Sequence, residues 1–166
     1  KFTHYDVEED ASPKPLFINK DITITGDTEE ATLLTRTTIQ LGADVTFKNM
    51  HLEMVTSGGR STTIYAAGHT LVLDGVNTKL GTNSLQDDIR PYISGGAYKG
   101  TDGILGDHAV IKVIHPTDQT RLSAIYAGDY WKNSKMPVDI ELDGKLVDTV
   151  IHTAGADGFG LEGDVS

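Results

Sequence analysis

A chain of 166 residues with 38% hydrophobic content is long enough for one core, and its 24 acidic against 14 basic side chains leave a net charge of −10. That charge argues against nucleic acid, since it repels phosphate backbones, and no apolar run approaches the length of a membrane span. Without cysteine there is neither a disulfide scaffold nor a thiolate metal site. Eighteen glycines, abundant Thr, Asn and Asp, and only 7% aromatic residues favour short strands joined by tight corners, so the class is all-β, as one domain over residues 1–166.

Along the chain, Asp21-Ile22-Thr23-Ile24-Thr25-Gly26 is the first alternating segment, with an apolar residue at every second position. The next stretch, Thr37-Thr38-Ile39-Gln40-Leu41-Gly42-Ala43-Asp44-Val45-Thr46-Phe47-Lys48-Asn49-Met50, holds a short strand, a glycine corner and a second alternating strand. Thr62-Thr63-Ile64-Tyr65-Ala66-Ala67-Gly68-His69-Thr70-Leu71-Val72-Leu73-Asp74-Gly75-Val76 repeats that order at an offset of about 25 residues, with one residue inserted before the glycine. The short strand returns as Tyr92-Ile93-Ser94-Gly95-Gly96 and Ile125-Tyr126-Ala127-Gly128, the isoleucines of the series falling 29 and then 32 residues apart. Each return is followed by a polar insertion and another alternating strand, first Ala109-Val110-Ile111-Lys112-Val113 and then Val138-Asp139-Ile140-Glu141-Leu142.

A repeat of this length built from strands and Gly or Asn corners is the signature of a solenoid, and the lack of 3.6-residue periodicity argues against helical repeats. The expectation is a right-handed parallel β-helix of about six rungs, with Ile22, Ile24, Val45, Phe47, Leu71 and Leu73 pointing inward and stacked. A β-sandwich is the alternative, because its strands also recur at short intervals.

The text at Asp21 to Met54, His69 to Leu80 and Arg90 to Tyr98 resembles the pectate-lyase-like parallel β-helix regions of large Gram-positive surface proteins. Phrases such as Arg90-Pro91-Tyr92-Ile93-Ser94-Gly95-Gly96 and Ala124-Ile125-Tyr126-Ala127-Gly128-Asp129-Tyr130 carry the likeness. Adhesins and the non-catalytic parts of zinc metallopeptidases of the immunoglobulin A1 protease type contain such regions. The resemblance implies an extracellular parent, wall-bound or secreted, in which the β-helix recognises or positions a host protein or glycan while any chemistry lies in another domain. It brings no catalytic residue and no cofactor, and it implies that the chain continues into further domains.

The most enzyme-like local feature is Asp87-Asp88-Ile89-Arg90, because paired carboxylates on a β-helix serve acid–base work or calcium binding in polysaccharide-cleaving enzymes. Its partners in β-helical glycosidases would be a Gly-His-Gly segment and a basic triplet, and only Gly106-Asp107-His108 and Ile111-Lys112-Val113 stand near those places. A metalloprotease helix needs two histidines one turn apart, and His51-Leu52-Glu53-Met54-Val55 lacks the second. The six histidines, His4, His51, His69, His108, His115 and His152, read as turn or rung-edge residues, with no metal site among them.

For binding, the best candidates are Tyr130 and Trp131 with Lys132 and Asp129 beside them. Two adjacent rings in a polar insertion offer a stacking face flanked by donors and an acceptor. Tyr92 and Tyr126, inside the Tyr-x-x-Gly phrases, read instead as rung-stacking residues. The leading expectation is a non-catalytic binding or positioning module. A β-helical polysaccharide lyase or glycoside hydrolase using Asp87, Asp88 and Arg90 is the second reading, and a structural spacer the third.

Overall fold

The computed structural model describes residues 2–4, 15–28, 30–54, 62–78, 90–98, 105–129, 136–146, 148–155 and 165–166. Among them the regular structure is entirely strand, and every ladder between strands is parallel. The chain first visits three sheets in rotation, and its later strands alternate between two of them. After β1 (Phe2–His4), one circuit consists of β2 (Leu16–Ile18), β3 (Ile22–Thr25) and β4 (Thr32–Thr35). The next is β5 (Ile39–Leu41), β6 (Val45–Lys48) and β7 (His51–Met54). Then come β8 (Thr63–Tyr65), β9 (Thr70–Asp74), β10 (Tyr92–Ser94), β11 (Ala109–Ile114), β12 (Ala124–Tyr126), β13 (Val138–Leu142) and β14 (Val150–His152). The first sheet is ordered β1-β4-β7, the second β2-β5-β8-β10-β12-β14 and the third β3-β6-β9-β11-β13. An antiparallel sandwich pairs its strands in the opposite sense, so these ladders depart from that alternative.

The register follows the sequence repeat. Ile39 pairs with Ile64, and Val45 with Leu71, so the residue inserted before Gly68 is absorbed between the two strands. Ile64, Ile93, Ile125 and Ile151 then form one column down the second sheet. In the third sheet Ile22, Val45, Leu71, Ile111 and Ile140 form one column, with Ile24, Phe47, Leu73, Val113 and Leu142 beside it. Parallel pairing keeps equivalent residues on the same side, so each column is a continuous apolar stack. Val45, Phe47, Leu71 and Leu73 are buried as expected, but Ile22 is 45% exposed. Its strand is the edge of the sheet, and among the described residues the column has no member beyond it.

Beyond β7 the first sheet is continued by a single backbone bridge and then by side chains. His51 bridges to Asn77, and Leu52 N–H donates to the Asn77 carbonyl at 2.8 Å. On the next circuits Thr120 Oγ1 donates to the Val76 carbonyl at 2.8 Å, and Arg121 N–H donates to Thr78 Oγ1 at 2.7 Å. Leu122 N–H reaches Thr149 Oγ1 at 3.4 Å. A threonine hydroxyl both donates and accepts, so it satisfies backbone groups where no strand neighbour supplies them.

The outer side of the second sheet is also covered. Gln40 and Tyr65 are buried there, because the chain after β10 folds back over them. Tyr98 N–H donates to Gln40 Oε1 at 2.7 Å, and its ring meets Tyr65 edge-on at 5.8 Å. The buried amide is thus hydrogen-bonded, which avoids the cost of an unsatisfied polar group.

Candidate functional site

The site begins at the corner that leads out of the third sheet. Lys48, Asp74 and Ile114 share a register position, and the residue after each, Asn49, Gly75 and His115, has a positive φ of 49°, 61° and 48°. Asn and His tolerate this conformation better than most side-chain-bearing residues, and Gly tolerates it without strain. A Cβ at Gly75 would lie 2.8 Å from Asn49 Oδ1, so the glycine also makes room for the asparagine of the preceding circuit. The repeated left-handed step turns the chain toward the first sheet at the same height on each circuit.

Along this corner runs a groove of about 690 Å³. One circuit contributes Gly26, Asp27, Thr28 and Glu30, the next Asn49, Met50 and His51, the third Gly75 and Asn77, and the fourth Thr117 and Gln119. Neighbouring strands lie ~4.8 Å apart, so four circuits span roughly 14 Å. The lining is held from behind. Thr117 Oγ1 donates to Asn77 Oδ1 at 2.6 Å, which directs the Asn77 amide donors away from Thr117. Thr117 N–H donates to Thr120 Oγ1 at 2.8 Å, and Gln119 N–H donates to Thr117 Oγ1 at 3.0 Å. On the first circuit, Thr32 Oγ1 donates to the Glu30 carbonyl at 3.0 Å. The result is a trough presenting carboxylate, imidazole, amide and hydroxyl groups, with no Lys or Arg among the described residues that line it.

Beside the groove, on the outer face of the third sheet, Asp74 is buried between Lys48 Nζ at 2.6 Å and His115 Nδ1 at 2.7 Å. The Lys48 hydrogen bond, followed by that of His115, holds the Asp74 carboxyl below the usual carboxylate range. Lys112 pairs with Glu141 at 2.8 Å across neighbouring strands of the same face. His108 lies 3.0 Å from Asp139, whose carboxyl is lowered first by the Ser166 hydroxyl and then by His108. These pairs link adjacent circuits, and Lys48–Asp74 and Lys112–Glu141 join opposite charges across neighbouring strands.

Of the residues singled out from the sequence, Asp87, Asp88, Tyr130, Trp131 and Lys132 lie outside the described residues. Asp129 is buried, and its Oδ2 accepts Ala97 N–H at 3.4 Å, tying it to the preceding circuit beside Gly96. Arg90 reaches the Asp148 carbonyl with Nη1 at 3.5 Å and its carboxylate with Nη2 at 3.9 Å. Tyr92, Tyr126 and His152 stack down the outer face of the second sheet, with ring centroids 6.2 and 4.7 Å apart. Each ring covers a face of the next, so the rings serve one another and not a sugar laid across them. The described histidines lie at strand ends or corners, as read from the sequence, and among the described residues no group of three His, Cys, Asp or Glu side chains could hold a metal.

The groove residues were not picked out from the sequence. Gly26-Asp27, Asn49-Met50-His51 and Gly75-Val76-Asn77 each follow an alternating strand directly, so comparing the polar residues just past each repeat would have found them. No protein-family model, curated protein or solved structure matches this chain.

Proposed function

We propose that the three sheets are the walls of a right-handed parallel β-helix of about six rungs, and that it is a non-catalytic binding or substrate-positioning module. The strand order supports the architecture, since a chain returning to the same parallel sheets in rotation must coil, and parallel crossovers are almost always right-handed. The observation that carries the function is the corner groove. A trough of this volume falls in the range of ligand sites, and its polar groups are carried by strand ends and corners that recur on each circuit. In this reading, which rests on the resemblance of the sequence to Gram-positive surface β-helices, the module belongs to an extracellular protein, wall-bound or secreted, takes a glycan or host protein as its partner and uses no cofactor.

Screening the purified chain on glycan and host-protein arrays, beside a reducing-sugar release assay, tests this reading. Saturable binding without sugar release is expected. Release of new reducing ends would replace it with the carbohydrate-active reading, and absence of binding on both arrays would leave a spacer.

A further inference from the structure

We infer that the corner groove takes an uncharged oligosaccharide laid parallel to the stack of circuits, an inference that rests on the binding-module reading and names its ligand class. The groove's long direction crosses four circuits, so the protein's own repeat sets the spacing of its polar groups. A polymer with a regular repeat of hydroxyls can meet such a row at several points without bending. The groups suit hydroxyls: Asp27 and Glu30 accept from them, while His51, Asn77 and Gln119 can both donate and accept.

Two alternatives fit less well. A polyanion would meet two carboxylates and no lysine or arginine in the lining, on a chain of net charge −10. A protein partner would need a desolvated apolar or aromatic centre to anchor it, and the lining has no aromatic residue except the imidazole of His51. A metal is not called for either, since Asp27, Glu30 and His51 do not form a ligating cluster.

The test is calorimetric titration of the whole chain with neutral hexasaccharides of the chito-, cello-, manno- and xylo- series and with hexagalacturonate. At least one neutral series should bind, with hexagalacturonate on the order of tenfold weaker or worse. Gln119→Ala and His51→Gln should each weaken the neutral ligand by about five- to tenfold, the loss of one or two hydrogen bonds, with an unchanged thermal midpoint. Asp27→Asn, which removes a charge but keeps an acceptor, should narrow the gap between neutral and anionic ligands. Equal or tighter binding of hexagalacturonate would overturn the inference, as would neutral binding that neither Gln119→Ala nor His51→Gln alters. A chain that binds a host protein but none of the neutral sugars would refute the inference and leave the binding-module reading standing. One that binds neither would remove both.

Discussion

One apolar column runs down the second sheet, from Leu16 through Ile39, Ile64, Ile93 and Ile125 to Ile151, and its middle and its last member behave differently. Ile39, Ile64, Ile93 and Ile125 are completely buried, whereas Ile151, in register with Ile125 on the last strand, is 44% exposed. The third sheet repeats the pattern at its other end, where Ile22 is 45% exposed and its partner Val45 is buried. Within each pair both residues are β-branched aliphatics on the same sheet and in the same register. What differs is the neighbour: a middle circuit is covered by a circuit on each side, and an end circuit on one. Where repeats stack through parallel ladders, burial is a property of the neighbouring strand, so stability comes from the interfaces between repeats.

The largest expected effect sharpens that contrast. Ile93→Ala should cost about 3–4 kcal/mol, because it removes a fully enclosed side chain and leaves a cavity between two circuits. Ile151→Ala should cost under ~1 kcal/mol, since half of that side chain is already in water. Urea midpoints measure both, and equal losses would mean that the last strand is packed as tightly as the middle.

A second comparison sets two glycines of positive φ against each other. A Cβ on Gly68, at φ 82°, would lie 2.3 Å from the carbonyl oxygen of Gly106 and 2.5 Å from its carbon. Backbone meets backbone there, so Gly68→Ala should destabilise by about 2–3 kcal/mol. At Gly75 the Cβ would meet only the end of the Asn49 side chain, and Gly75→Ala should cost about 1 kcal/mol. Thermal midpoints of the two variants rank them, and a reversed order would show that the corner, not the contact between circuits, is the tighter place.

The smallest effect lies on the outer face. Asp74→Asn should lower stability at neutral pH by ~1 kcal/mol, through its hydrogen bonds to Lys48 and His115. Because the folded-state pKa of Asp74 lies below its unfolded value, the wild-type advantage should be complete above the ordinary carboxylate range and vanish as pH falls through the folded value. Urea unfolding of both proteins between neutral and strongly acidic pH follows this directly, and a gap that persists in acid would assign Asp74 a role independent of its charge.

Much of this arrangement was legible before any coordinates. The offset between Ile39 and Ile64, the extra residue before Gly68 and the later isoleucine series at Ile93 and Ile125 all reappear as strand register. The reason is physical: in a parallel ladder equivalent positions stack, so the sequence period and the spatial period are the same quantity. The alternation in Val45-Thr46-Phe47-Lys48 likewise told inward from outward, since successive residues of a strand face opposite sides.

Local pattern did not reach the features that depend on which circuits meet. Asp129 looked like a loop acceptor, yet it is buried against the preceding circuit, because Gly96 on that circuit leaves it room. Gln40 and Tyr65 stand at outward positions of their strands and are buried only because the Tyr98 segment, far along the chain, folds over them. The groove brings Asp27, His51, Asn77 and Gln119 together from four circuits, successive residues lying 24 to 42 positions apart along the chain. Sequence by itself determined the period, the strands and the inward face, because these are set by neighbours along the chain. The tertiary structure alone decided which polar residues share one trough and which apolar residues meet water, because those depend on contacts between strands far apart in the chain.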